Sequence, residues 1–163
     1  MAAGETMVRM GEIAVSGDPG HVLVSLGLGS CIGLVLIDRA KQIAGLAHVM
    51  LPDSASSPNA SKLKFADHAV PELVRKVIAL GASPIHLQAF LVGGAKMFSF
   101  GGSSLDVGAR NEEATLAELE KQRIRVAGRV TAGTTGRTVR VHVEGCRVFC
   151  KEAGGVEKEL KAA

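Results

Sequence analysis

Residues Gly27-Leu28-Gly29-Ser30-Cys31 run directly into Ile32-Gly33-Leu34-Val35-Leu36-Ile37, and this junction constrains the fold more than any other stretch of the chain. The apolar run reads as a buried strand, and the two glycines let the backbone approach closely whatever lies in front of the sulfur. A thiol at a glycine-rich turn entering a rigid strand is well placed for a nucleophile. Seventeen residues later His48 sits in Ala44-Gly45-Leu46-Ala47-His48-Val49-Met50-Leu51-Pro52-Asp53, again flanked by apolar residues as the end of a second strand would be. At the ends of adjacent strands, Cys31 and His48 have the composition of a thiolate–imidazolium pair, the nucleophile and base of covalent acyl transfer. A small buried cysteine and a satisfied core histidine are the blander alternatives at this point.

Composition narrows the rest. Apolar residues make up 47% of the 163-residue chain, but aromatics only 3%, with no Trp or Tyr. A core of Val, Leu, Ile and Ala with five Phe is implied, and so few aromatics argue against single-stranded nucleic-acid binding by base stacking. With 19 basic against 16 acidic residues the net charge is +3, and no Lys/Arg run supplies a footprint for DNA. Cys31, Cys146 and Cys150 are too few and too irregular for a disulfide framework. On one straight strand Cys146 and Cys150 would lie about 13 Å apart, beyond bridging range. A turn at Glu144-Gly145 instead starts the last strand near Cys146, and both thiols read as structural. His142 with Cys146 and Cys150 lacks the paired close spacings of zinc sites, so no metal is expected. The sequence has no apolar stretch of membrane-spanning length and no leader pattern, and a free thiol then implies the reducing cytoplasm.

Along the chain, a disordered lead-in over residues 1–6 precedes an edge strand, Met7–Val15, and a turn at Ser16-Gly17-Asp18-Pro19-Gly20. A short strand Val22–Val24 leads to the glycine turn. Cys31–Asp38 and Gln42–Met50 form a hairpin through Arg39-Ala40-Lys41. Pro52–Ser61 is a mobile polar loop. A helix over Lys64–Leu80, ending at Gly81, has an apolar stripe of Val70, Val74, Val77 and Ile78, with Pro71 implying a kink or a broken first turn. Ile85–Val92 is a strand meeting Gly93-Gly94-Ala95-Lys96-Met97-Phe98, whose Met and Phe fold back onto the core. After the glycine loop Gly101–Ser104, Asn111 is the N-cap of a helix to Gln122, with Glu112 and Glu113 favouring its positive end. Ile124–Val130 and a hairpin of Thr138–Val143 with Arg147–Glu152 complete the chain before a polar, flexible tail over 154–163. The order of elements describes one domain over residues 1–163, a layered α/β sandwich.

Six stretches together resemble the CheD family of bacterial chemotaxis proteins, the chemoreceptor glutamine deamidases. They are Leu26–Cys31, Gly45–Asp53, Lys64-Phe65-Ala66-Asp67, Gly93–Phe98, Gly108-Ala109-Arg110-Asn111 and Gly136-Arg137, in the family's order from about Gly11 to Lys151. The resemblance implies a three-layer α/β/β sandwich. It also implies a cysteine-dependent protein-glutamine glutaminase that hydrolyses side-chain amides on chemoreceptor cytoplasmic regions, with methylesterase activity in some members. Cys31 would be the nucleophile and His48 the base. Ser25 stands where the family has a catalytic threonine, keeping a hydroxyl that can accept from an imidazole N–H and orient the ring. Backbone N–H groups around Gly29, Ser30 and Cys31 are the candidates for the oxyanion. No cofactor is implied.

Val130-Thr131-Ala132-Gly133-Thr134-Thr135 departs from the acid and paired glycines the family often carries before Gly-Arg, which bears on partner choice. His68 reads as an exposed helix residue and Asp67 as solvated helix surface or a contact to the active-site loop. Arg110 pairs with an acid near the site or faces solvent. Some members of the family bind the CheC phosphatase, so the alternative to an enzyme is a module that engages and stimulates that phosphatase.

Overall fold

The computed structural model describes residues 4–54, 61–97 and 106–162. Its centre is the hairpin of β4 (Ile32–Asp38) and β5 (Ile43–Val49), in which every residue is buried. Strands covered on both faces need no polar alternation, which is why both segments are nearly continuous apolar runs. β4 lies between β5 and β6 (Gln88–Gly93), and the sheet is completed by β2 (Ile13–Ser16) beside β5 and β7 (Arg125–Thr131) beside β6.

Alternate residues of β4 divide between two cores. Ile32, Leu34 and Leu36 pack with Ala69, Val70, Leu73 and Val77 of α1 (Ala66–Ala79) and Leu119 of α2 (Val107–Lys121). Val35 and Ile37 instead meet Leu23, Val139, Val141 and Val148 of a second sheet. That sheet runs β1 (Glu5–Met7), β3 (Val22–Leu28), β8 (Arg137–His142), β9 (Arg147–Glu152), β10 (Glu157–Leu160). Helices, mixed sheet and outer sheet are thus the three layers of an α/β/β sandwich. Gly45 is required at the helix interface, where a Cβ would come within 2.7 Å of Leu73 Cδ1 and 2.9 Å of Val77 Cγ1.

The expected single strand over Met7–Val15 is two strands in different sheets, β1 and β2. Val8 is buried between them, and Gly11 turns the chain with φ +77°. β3 extends beyond Val24 to Leu28 through a bulge after Ser25. Ile85 is 87% exposed in a 3₁₀ turn (Pro84–His86), so the strand there begins only at Gln88. α1 starts at Ala66 and continues through Pro71; Ile78 lies outside its buried stripe, and Ala66, Ala69 and Leu73 complete it. Asp106, not Asn111, caps α2, accepting from the Ala109 N–H at 2.9 Å, and Asn111 lies inside the helix.

The expected lead-in and tail both contribute strands. Glu5–Met7 pairs with Val22–Val24, and Glu157–Leu160 pairs with Val148–Lys151. Cys146 and Cys150 are buried free thiols, and among the described residues no group of His, Cys, Asp and Glu is arranged to hold a metal. Among the same residues, no helix is long and apolar enough to cross a membrane. Phe98, the loop Gly101–Ser104 and most of the Pro52–Ser61 loop lie outside the described residues.

Candidate active site

Cys31 is the residue at which the chain crosses from the outer sheet to the mixed one. The bulge after Ser25, with Gly27 at φ +62°, shifts the β3–β8 register before Leu28 pairs with Arg137 at the end of the strand. Gly29-Ser30-Cys31 then bridge the layers and feed β4. Cys31 is half-buried against the inter-sheet core. His48 stands opposite Gly33, so it occupies the same inter-sheet face, diagonal to Cys31. Diagonal neighbours on adjacent strands lie roughly 7–8 Å apart at the backbone, within reach of an imidazole and a thiol. Gly33 must lack a side chain, since a Cβ there would approach Leu28 Cδ1 to 2.8 Å and Val139 Cγ1 to 3.0 Å.

His48 is 5% exposed, and its Nδ1 lies 3.0 Å from the carbonyl oxygen of Val8. A carbonyl only accepts, so Nδ1 carries the proton and Nε2 keeps its lone pair. The fully buried Ser25 donates its hydroxyl to the same Val8 oxygen at 2.8 Å. This corrects the expected partnership: the imidazole is oriented by a backbone carbonyl, and Ser25 acts on that carbonyl from the other sheet. The serine hydroxyl already has an acceptor within reach, while Val8 sits between β1 and β2 with its oxygen turned inward. Backbone bonds hold His48 further, from its N–H to Glu12 (3.1 Å) and from Gly11 N–H to its carbonyl (2.9 Å).

Burial pushes the Cys31 thiol above its ordinary value. The same desolvation pushes His48 below its ordinary value, opposed by the Val8 hydrogen bond and the charge of Glu12. Both shifts favour the uncharged forms, thiol and imidazole, over the thiolate–imidazolium pair expected from residue types.

Three successive carbonyls of the turn are fixed by donors. Gly29 C=O accepts from Ala95 N–H at 2.8 Å, Ser30 C=O from Asn111 Nδ2 at 2.8 Å, and Cys31 C=O from Gly94 N–H at 2.9 Å. In a trans peptide the C=O and the following N–H point in opposite directions. The N–H groups of Ser30 and Cys31 are consequently turned away from these donors. The Gly93–Ala95 turn is itself held by Arg137, 6% exposed, whose Nη1 donates to Gly93 C=O at 3.1 Å and Ala132 C=O at 2.8 Å. Glycine at 93 is obligatory: φ is +113° and a Cβ would sit 2.2 Å from Cys31 O.

The segment after His48 is tethered by Asp67, which accepts from the Ser54 hydroxyl at 3.0 Å; His68 Nε2 meets the same hydroxyl at 3.1 Å. Asp67 and the half-buried His68 thus contact the active-site loop rather than acting as solvated helix surface. Arg110 is exposed, lining a cleft with Asp53 and Glu113. Apolar side chains on the segments bordering the site stay in solvent: Leu26, Leu51, Met97 and Val107. Met97 lies over Gly29 instead of returning to the core.

Sequence reasoning missed Val8 and Asn111. A backbone acceptor leaves no residue-type signal. Asn111 did leave one, as a poor helix former within a helix that already has a capping aspartate.

A family model described as CheD chemotactic sensory transduction matches residues 50–152. A protein of Methanococcus vannielii named a probable chemoreceptor glutamine deamidase CheD is 41% identical, covering 92% of this chain and 96% of its own. One of the same name from Lachnoclostridium phytofermentans is 40% identical over 94% and 96%. Another, from Symbiobacterium thermophilum, is 41% identical over 94% and 95%. Matches of this extent mean that the chain belongs to the CheD family.

Proposed function

We propose that this chain is a cytoplasmic chemoreceptor glutamine deamidase that works through a Cys31 thioester. The observation that carries the reading is the Val8 carbonyl bound to His48 Nδ1–H, which leaves Nε2 basic on the face that Cys31 shares. As Sγ attacks the glutamine Cδ, its proton passes to Nε2 and the carbonyl oxygen becomes an oxyanion. The N–H groups of Ser30 and Cys31 receive that charge, with Gly29 allowing the close approach. Collapse of the intermediate returns the proton to the leaving nitrogen, ammonia departs and a thioester remains. Water, deprotonated by His48, attacks the thioester; Cys31 thiolate leaves, regains its proton and releases glutamate. A γ-methyl ester fits the same sequence, with methanol as leaving group. Ser25 stabilises the orientation of the ring through Val8. The exposed Leu26, Leu51, Met97 and Val107 around the site suit the surface of a protein substrate better than a free amino acid.

Mass spectrometry of a purified chemoreceptor cytoplasmic fragment, incubated with wild type and with Cys31→Ala, tests the reading. Site-specific Gln-to-Glu conversion by wild type alone is expected. Conversion by both removes Cys31 from the chemistry. Conversion by neither, with folded proteins and several receptors, favours a module that engages the CheC phosphatase.

A further inference from the structure

Asn111 is fully buried within α2 and divides its amide between two loops. Nδ2 donates to Ser30 C=O and to Met50 C=O, both at 2.8 Å. One loop delivers the nucleophile and the other follows the base. Oδ1 of the same amide is buried and, among the described residues, has no hydrogen-bond partner. Burying an acceptor unpaired is costly, and a native structure that tolerates it does so for a reason. The reason here is the donor end, which supplies two N–H groups at one point.

The direction of those bonds matters more than their number. α2 belongs to the helix layer, on the face of the mixed sheet opposite the one against which Cys31 packs. Ser30 C=O points toward that layer to reach Asn111. The N–H of the same peptide, which belongs to Cys31, therefore points away from the helices and toward the side that carries the thiol. The helix is seated closely enough to impose this. One turn before Asn111, a Cβ on Gly108 would lie 2.4 Å from Ala95 O and 2.5 Å from Gly94 O.

We propose that Asn111 is a positioning residue that fixes the Ser30–Cys31 peptide so that the Cys31 N–H faces the developing oxyanion. Donation into Ser30 C=O also polarises that peptide, making its N–H a better donor. The proposal rests on the reading of Cys31 as the nucleophile of an amide hydrolase.

The test separates attack on a carbonyl from attack on a saturated carbon. Asn111→Leu keeps the shape of the side chain and removes both donors. Its kcat on the receptor fragment is expected to fall about 10²-fold, with KM changing less than threefold. Iodoacetamide alkylation of Cys31, which forms no oxyanion, is expected to keep its wild-type rate and pH profile. A folded Asn111→Leu with kcat within threefold of wild type overturns the proposal. So does a loss of kcat matched by slower alkylation and a shifted pH profile, which would mean that Asn111 merely holds the thiol and imidazole together. If Asn111→Leu does not fold, wild type answers instead. A glutamine-derived peptide aldehyde that adds to Cys31 should move the Cys31 amide proton downfield, and an unmoved resonance overturns the proposal. Cys31→Ala is run alongside: activity there defeats the nucleophile reading, whereas a dead Cys31→Ala with an active Asn111→Leu defeats only the role of Asn111.

Discussion

Two cysteines of this chain share one physical perturbation and differ in what surrounds the sulfur. Burial raises the thiol of Cys31 and that of Cys146, the latter to about 11. Cys146 is sealed in the inter-sheet core, 3.6 Å from the carbonyl of Asp38 and 3.5 Å from that of Ile43. Its acceptors are neutral backbone groups with no use for its proton. Cys31 sits at the open end of the same core, with the basic nitrogen of His48 on its face of the sheet. If Cys31 is the nucleophile proposed above, the difference teaches that a raised thiol is not in itself an inert one. What decides is whether a base can take the proton during the reaction, and whether solvent or substrate can reach the sulfur.

Replacing each thiol should break the comparison most sharply. Cys31→Ala is expected to abolish turnover and leave the unfolding midpoint close to wild type. Cys146→Ala is expected to keep kcat and to lose about 1 kcal/mol of stability, the scale for deleting one buried heavy atom. Denaturant titration and a deamidation assay on the same preparations check both. An inactive but folded Cys146→Ala would mean that the two sulfurs are coupled.

His48→Gln comes next, with an expected loss of about 10²–10⁴ in kcat. The pH dependence of the wild type carries the sign of the perturbation. The base must be neutral, and burial lowers its pKa, so kcat/KM should hold below pH 6.5 and decline only at more acid pH. Alkylation of Cys31 should keep rising as pH passes 9, because burial raises the thiol above that value. A resting thiolate–imidazolium pair would instead give a flat, fast alkylation rate at neutral pH, and that result would show that the two groups are charged before substrate arrives.

Ser25 tests a subtler contact. Its hydroxyl reaches Val8 O, which in turn holds His48 Nδ1. Ser25→Ala should reduce kcat by about tenfold, roughly the worth of one neutral hydrogen bond, with little change in KM. Ser25→Thr should match or exceed wild type, since the added methyl restricts χ1. Equal rates for Ser25→Ala and wild type would assign the hydroxyl to packing alone.

The parts of this site that were legible in the sequence share a cause. β4 and β5 are buried on both faces and joined by a short turn, so their apolar runs and the neighbouring placement of Cys31 and His48 follow from local pattern. β1 and β10 were not legible, because edge strands with sequences such as Glu157-Lys158-Glu159-Leu160 carry no apolar alternation and form only where a partner edge is offered. Asn111 was misplaced for a related reason. Its intrinsic preference favours a cap, and tertiary hydrogen bonds to Ser30 and Met50 override that preference inside α2. The partner of His48 was illegible in principle, being a carbonyl that any residue at position 8 would supply.

Backbone strain gives the smallest effect and a last refinement of the comparison. Cys146 and Ala132 both hold positive φ without being glycine, +48° and +63°. The first lies in the sealed inter-sheet core. The second lies next to the candidate site, its carbonyl accepting from the same Arg137 guanidinium that holds Gly93. The left-handed conformation costs a side chain roughly 1–2 kcal/mol, while glycine loses about 0.5–1 kcal/mol more backbone entropy on folding. Ala132→Gly should therefore stabilise the chain by about 0.5–1 kcal/mol and leave kcat unchanged, since the hydrogen bond uses the backbone and survives the substitution. A drop in kcat with that gain in stability would show that the stiffness of Ala132, passed through Arg137 to the turn that fixes Cys31 C=O, is part of how the site is held.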